Sequence, residues 1–194
     1  MDYFPWEKDL DEALASINST PDNISDQHWK LTEGISCKDW FPEEVEYQLD
    51  PTSGVKIADS VPNSLGIIIC SEKLKSILEK RCSEFEFFPI KLRNAKKKIV
   101  SKKYFVANLV GTLACMDMKK SKYKEDELDK GQIRAISELH ICDDKVPEGT
   151  QIFRLAERTR LHIVLDPLAD EIAVDNKCSG VSLTFLEDYG MEYR

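Results

Sequence analysis

The chain has 194 residues, 42% hydrophobic and 32% charged, with a formal net charge of −8. That length suits one domain, or one domain with an appendage, and buries roughly 70% of the unfolded surface without a metal or disulfide staple. The acid excess argues against a duplex nucleic-acid or membrane-surface binder, since both need the opposite sign.

The acidity is uneven: residues 1–63 hold four basic and fourteen acidic residues, while the rest holds 23 basic and 21 acidic. The opening Met1–Glu7 lacks the basic and apolar regions of a signal peptide, and no apolar run nears the ~20 residues that span a bilayer. Cytosol is the expected location. Leu10, Leu14 and Ile17 predict an amphipathic helix over Glu7–Ile17. Residues 24–63 are punctuated by glycine and proline, with Trp29, Trp40, Phe41, Tyr47 and Leu49 as apolar anchors. They predict a segment draped over the main sheet, with a turn at Asp50–Gly54.

Leu65–Cys70 is a near-continuous apolar run, as expected for a strand buried on both faces. Ser71 suits an N-cap, and Leu74, Ile77 and Leu78 recur at helical spacing. Phe85–Ile90 reads as a strand whose Pro89 argues for an edge or a strand end. Lys91–Lys103 predicts a basic hairpin turn around Asn94-Ala95. It is either a solvated turn that resists edge pairing or a phosphate patch. Tyr104–Val110 predicts a central strand whose Asn108 needs hydrogen-bond partners. Lys119–Lys130 reads as an exposed loop or frayed helix, Ile133–Ile141 as a strand, Asp143–Gly149 as a turn and Ile152–Leu155 as a short strand. Leu161–Leu165, Leu168–Val174 and Val181–Phe185 then form a second strand-helix-strand pattern, with Asp166 and Pro167 at the helix start. The polar tail, 187–194, is expected to fray. At an offset of 96 residues Leu65 meets Leu161 and Cys82-Ser83 meets Cys178-Ser179. Duplication and two ordinary units both account for that match. The fold class expected is α+β, with a mixed or largely antiparallel sheet of about six to eight strands, a few short helices and two strand-helix-strand units. All of 1–194 is read as one domain, with an acidic segment at 1–63 packed on a core at 64–194.

No phosphate loop, nucleophile elbow, dinucleotide fingerprint or metalloprotease motif is present. The six cysteines lack metal spacing, and Cys70, Cys115 and Cys142 sit in apolar stretches where a thiol packs as a small hydrophobe. His162 alternates with apolar neighbours and reads as a satisfied structural residue. No catalytic residue, metal site or cofactor is predicted. The enzyme alternative places a site near His140, Asp143 and Asp144; a further alternative is a regulatory module for a small ligand or peptide.

The order of fragments is informative. Lys38-Asp39-Trp40-Phe41-Pro42 precedes Tyr47-Gln48-Leu49-Asp50 and Ala58-Asp59-Ser60-Val61-Pro62-Asn63. Ser71-Glu72-Lys73-Leu74-Lys75, Phe85–Ile90, Tyr104–Asn108, Cys115-Met116-Asp117 with Ser121, Ile152–Leu155 and Gly180–Leu183 follow. Across 38–186 this series resembles the eleventh family of immunity proteins of bacterial polymorphic toxin systems. The resemblance implies a bacterial cytosolic protein that binds one cognate toxin and blocks it, without catalytic residues of its own. The acidic third then predicts a partner with a basic surface, and Asp39, Glu43, Glu44 and Glu46 flanking Trp40 and Tyr47 are the expected contacts. A homodimer stays open.

Overall fold

The structure, a computed structural model, describes residues 2–125, 127 and 133–190. The strands are β1 (Tyr3–Lys8), β2 (Glu46–Gln48), β3 (Ile68–Ser71), β4 (Phe85–Arg93), β5 (Ile99–Leu109), β6 (Lys122–Glu125), β7 (Ile133–Glu138), β8 (Ile152–Arg154), β9 (His162–Leu165) and β10 (Val181–Leu183). Helix α1 spans Glu72–Arg81, and a short α2, Leu168–Asp170, runs on into a π-helical turn at Glu171–Asp175. The fold is α+β. Its strands divide into two four-stranded sheets, ordered β2-β4-β5-β3 and β10-β1-β9-β8, and a β6-β7 ribbon, rather than one sheet. Among the described strands only β2 and β4 pair in parallel.

Three apolar cores separate these layers, and strand alternation assigns residues to them. Ile67 and Ile69 meet Ile17, Leu31, Tyr47 and Val61 on the outer face of the first sheet. Ile68 and Cys70 enter a middle core with Leu74, Ile77, Leu78, Val164, Leu168 and Ile172. Ile163 and Leu165 face a third core, with Phe153 and the β7 residues Ile133 and Ile136. Strands covered on both faces read as continuous apolar runs for this reason. Cys70 and Cys115 are buried within these cores as free thiols, while Cys142 is half-buried.

Both strand-helix-strand units are present. β3 and β4 each pair antiparallel with β5, so they are parallel to one another and β5 lies between them. β9 and β10 flank β1 in the same way. Ser71 caps α1, its Oγ accepting the Leu74 N–H at 3.3 Å. At α2 the cap position falls on Pro167, which makes no side-chain cap bond, so Asp166 does not cap as expected.

Several expectations are corrected. The helix over Glu7–Ile17 is absent, because residues 3–8 fill the slot between β9 and β10 as a strand. Asp9 and Asp11 then turn the chain by accepting the Asp11 and Ala13 N–H groups, each at 2.9 Å. Leu10 stays exposed while Leu14 and Ile17 bridge to Lys56 and Asn63. Tertiary pairing outweighs a weak local period here. The first core strand starts at Ile68 rather than Leu65, since Gly66 stands at φ +74°. Pro89 lies mid-strand in β4, but β2 reaches only Lys91–Arg93, so β4 is an edge beside the proline. Lys122–Glu125, read as loop or helix, is a strand against β7; positions 126 and 128–130 of that stretch lie outside the described residues. Within the tail, Tyr189 is buried in the third core, and 191–194 lie outside the described residues.

Other expectations match. Asn94 Oδ1 accepts the Lys96 and Lys98 N–H groups, closing the basic hairpin at 3.0 and 3.1 Å. β5 is central, and Asn108 Nδ2 donates to Ile35 O at 2.9 Å and to Glu86 Oε2 at 3.0 Å.

Arg154, on β8, is 1% exposed. Its guanidinium donates to the carbonyls of Leu109 (3.2 Å), Thr32 (3.1 Å), Thr159 (2.6 Å) and Leu31 (3.3 Å). Burial pulls its pKa down to about 10, so it remains charged at neutral pH. Beside it Gly34 stands at φ +71°, where an added Cβ would lie 2.8 Å from Gly111 O and 3.2 Å from Arg154 Cδ. Arg154→Met removes four donors from buried carbonyls and is expected to cost about 3 kcal/mol in urea unfolding; Arg154→Lys, with one compact head, recovers only part. Gly34→Ala is expected to cost more than about 1 kcal/mol in the same assay.

Candidate partner-binding surface

The surface around residues 37–47 is built on Glu86, a β4 carboxylate only 6% exposed. It accepts from Ser36 Oγ at 2.5 Å, Cys37 N at 2.8 Å and Asn108 Nδ2 at 3.0 Å. This clamps the loop start to the sheet. Cys37–Phe41 then turns, with the Phe41 N–H on Cys37 O at 2.9 Å. The Phe41 ring stacks on Phe88 with centroids 4.4 Å apart, and half-buried Trp40 leans on Phe41 at 5.7 Å.

Of the six predicted contact residues, the structure sets Asp39, Trp40 and Glu43 at this surface, the two acids exposed. Glu44 is exposed but already accepts Lys91 Nζ at 2.9 Å. Glu46 is half-buried and forked by Arg93, with the Nη2–Oε1 bond at 2.8 Å. That hydrogen-bonded guanidinium holds the Glu46 carboxyl below its ordinary range. Tyr47 is the exception to its predicted place. It is fully buried, because its pairing with Leu92 turns it inward between outward Glu46 and Gln48. Its hydroxyl lies 3.1 Å from His28 Nε2.

Trp29, read from the sequence as an apolar anchor, is 55% exposed. The 3-10 turn His28–Thr32 points His28, Leu31 and Thr32 inward and leaves Trp29 outside. Lys30 Nζ sits between two indoles, 6.0 Å from the Trp29 centroid and 5.7 Å from that of Trp40. No repeat in the sequence marks this pairing, because the three residues come together through a turn and not through a periodic element.

The other predicted sites are taken apart. His140 Nε2 lies 3.1 Å from Glu138 Oε1, and Glu138, also held by Lys122, is pulled down to about 2. Asp143 instead accepts the Tyr3 hydroxyl at 2.9 Å. Ser71 Oγ donates to Asp59 Oδ1 at 2.7 Å while capping α1. Among the described residues no group of three or more His, Cys, Asp or Glu is placed to hold a metal ion. Nor is any helix among them long and apolar enough to cross a membrane. His162 is buried, but its Nε2 has no hydrogen-bond partner among the described residues, so it is not the satisfied residue expected.

Two indoles around a lysine, beside exposed carboxylates on a clamped loop, put rigid aromatic area at the surface with charge at its rim. A family model supplies the rest. The model of an immunity protein family (Imm11) matches residues 3–188, nearly the whole chain, and the protein belongs to that family. A search of curated proteins found no match.

The buried imidazoles set a pH dependence. Burial, and then the charge of Arg154 for His162 and of Arg160 for His28, lowers both pKa values from the ordinary 6.5. The native state keeps them neutral, whereas the unfolded chain takes up protons below about pH 6.5. Stability is therefore full above that pH and falls as the solution is acidified. The urea midpoint is expected to drop between pH 7 and pH 5. His162→Leu is expected to flatten that slope.

Proposed function

We propose that the protein neutralises one cognate protein toxin by binding it stoichiometrically in the bacterial cytosol. The toxin would belong to a polymorphic, secretion-delivered system, with the aromatic and acidic surface at Trp29, Asp39, Trp40 and Glu43 as the contact. Membership of an immunity protein family carries the reading. The charge split supports the surface, since residues 1–63 hold the acid excess. A toxin that presents a basic cleft would be steered to it, and encounter would slow as salt is raised.

The ion pairs refine which acids matter. Glu44 and Glu46 already hold Lys91 and Arg93, so a basic partner gains less from them. Asp39 and Glu43 have no ion pair among the described residues. Occlusion by such a surface needs no chemistry from the inhibitor, and no cofactor or metal enters the reading.

The test is co-expression with the product of the neighbouring gene, followed by affinity measurement on the purified complex. A one-to-one complex, with the toxin silenced, is expected. Asp39→Lys with Glu43→Lys is expected to raise Kd about tenfold or more, by about 1.4 kcal/mol, with the melting temperature unchanged. Unchanged affinity in that variant overturns the surface; a neighbouring product that does not bind the wild type overturns the toxin reading.

A further inference from the structure

A second surface has the opposite charge. A cleft of about 630 Å³ is lined by β1, β7, the turn before β9 and the chain after β10. Lys8, Arg134, Arg158 and Arg160 all line it. The six described arginines divide sharply. Arg81 and Arg93 hold carboxylates, and Arg154 holds carbonyls. The remaining three share this cleft; Arg158 Nη1 donates to the Arg134 carbonyl at 2.6 Å, which ties two of them together, and neither they nor Lys8 has an ion-pair partner among the described residues. Two carboxylates, Glu7 and Asp188, also line it, and Glu7 Oε2 accepts the Thr184 hydroxyl at 2.6 Å. Four cations face two acids in a chain whose net charge is −8.

A smaller cavity of about 180 Å³ shares Trp6, Glu7, Lys8 and Arg160 with this cleft, and His162 lines it. His162 is 4% exposed and its Nε2 lacks a partner among the described residues. A buried polar atom left unpaired costs about 1–3 kcal/mol, so its position beside a cationic cleft calls for a ligand. Gly66 lines the same cavity, and a Cβ there would lie 2.9 Å from Arg160 Cδ. Glycine thus lets the Arg160 stem lie along the backbone and form the wall between the two spaces.

We propose that this cleft binds a small anionic ligand whose phosphate or carboxylate oxygens are held by Arg134, Arg158 and Arg160, with its body against Trp6 and toward His162. Guanidinium forks match the planar or tetrahedral spacing of such oxygens, and the volume is that of a small-molecule site. The indole offers a flat face for a ring. The cleft shares no residue with the Trp29–Trp40 surface, so the proposal stands apart from toxin binding.

The test is titration calorimetry on the full chain with sodium pyrophosphate, citrate and ADP, each against sodium chloride of equal ionic strength. Saturable one-site binding of at least one anion is expected. Pyrophosphate above citrate assigns a phosphate ligand, and citrate above pyrophosphate a carboxylate. ADP above pyrophosphate adds the Trp6 face. Arg134→Gln with Arg160→Gln is expected to weaken binding at least tenfold, whereas Lys96→Gln with Lys98→Gln, in the β4-β5 hairpin, leaves it unchanged. Lys8→Gln, at an exposed position, gives the same reading if the double arginine variant unfolds. The proposal is overturned if no anion binds above the salt control, if the cleft variants bind like wild type, or if the hairpin variant loses as much.

Discussion

One buried guanidinium holds three parts of this protein together. Arg154 projects from β8 of the second sheet and takes carbonyls from the N-terminal segment (Leu31 and Thr32), from the end of β5 in the first sheet (Leu109) and from the turn before β9 (Thr159). Among the described residues it has no carboxylate in ion-pair contact, though the charge of Glu33 acts on it. Its desolvation is offset by four acceptors, each of which would otherwise lie near the interior without a donor. Gly34 and Gly111 meet beside it through a backbone bond of 2.6 Å, so the N-terminal segment approaches as closely as its backbone allows. Glu86 and Asp59 repeat the device with opposite charge. Glu86 ties the 36–37 loop to β4 and β5. Asp59 accepts from Ser71 at 2.7 Å and from the Ser179 N–H at 3.0 Å, joining the two halves. Burial works against the Asp59 carboxylate, but those bonds and Lys73 outweigh it and hold its pKa down.

The architecture around these anchors is twofold in plan. Each strand-helix-strand unit holds a third, antiparallel strand between its two parallel ones, and each sends its helix into the middle core. The helices also touch directly, through Arg81 on Glu171 and Lys73 Nζ on Asn176 O at 2.6 Å. The inserted strand differs in origin. β5 follows its unit immediately, whereas β1 comes from the far end of the chain. A plain tandem copy does not produce that exchange, so the shared plan reflects the packing of two such units face to face as much as the 96-residue sequence offset does.

Charge is sorted by position more than by sum. Beyond β1, which belongs to the second sheet, the acidic third of the chain packs largely on the first sheet, and part of its acid is spent on Lys91 and Arg93 of β4. Asp39 and Glu43 stay without an ion pair beside the indoles, as do exposed Glu12, Asp22 and Asp26 elsewhere in that third, among the described residues. Arg134, Arg158 and Arg160, which hold no carboxylate among the described residues, gather elsewhere, in the cleft between β1 and β7. Exposed ion pairs such as Glu44–Lys91 contribute little to stability and exchange readily, so a partner can compete for them. A buried cation held by carbonyls, such as Arg154, cannot exchange, and it fixes which segments meet.

Much of this fold follows from chemistry local to a few residues. The apolar runs at 65–70 and 161–165, the Ser71 cap, the Asn94 hairpin and the central strand with its polar Asn108 were all legible, because burial on two faces, capping and turn chemistry act within a few residues. The order of fragments carried the family. Tertiary structure alone decided the rest. Residues 3–8 became a strand only because β9 and β10 leave a slot for them. Tyr47 turned inward and Trp29 outward according to a pairing with Leu92 and a 3-10 turn that no local period records. Arg154 reads as an ordinary strand-end cation, and Arg134, Arg158 and Arg160 as ordinary surface charges. Which acceptors a guanidinium meets, and which cations share a cleft, depends on contacts between segments far apart in the chain, 123 residues for Arg154 and Leu31, and those exist only once the sheets have packed.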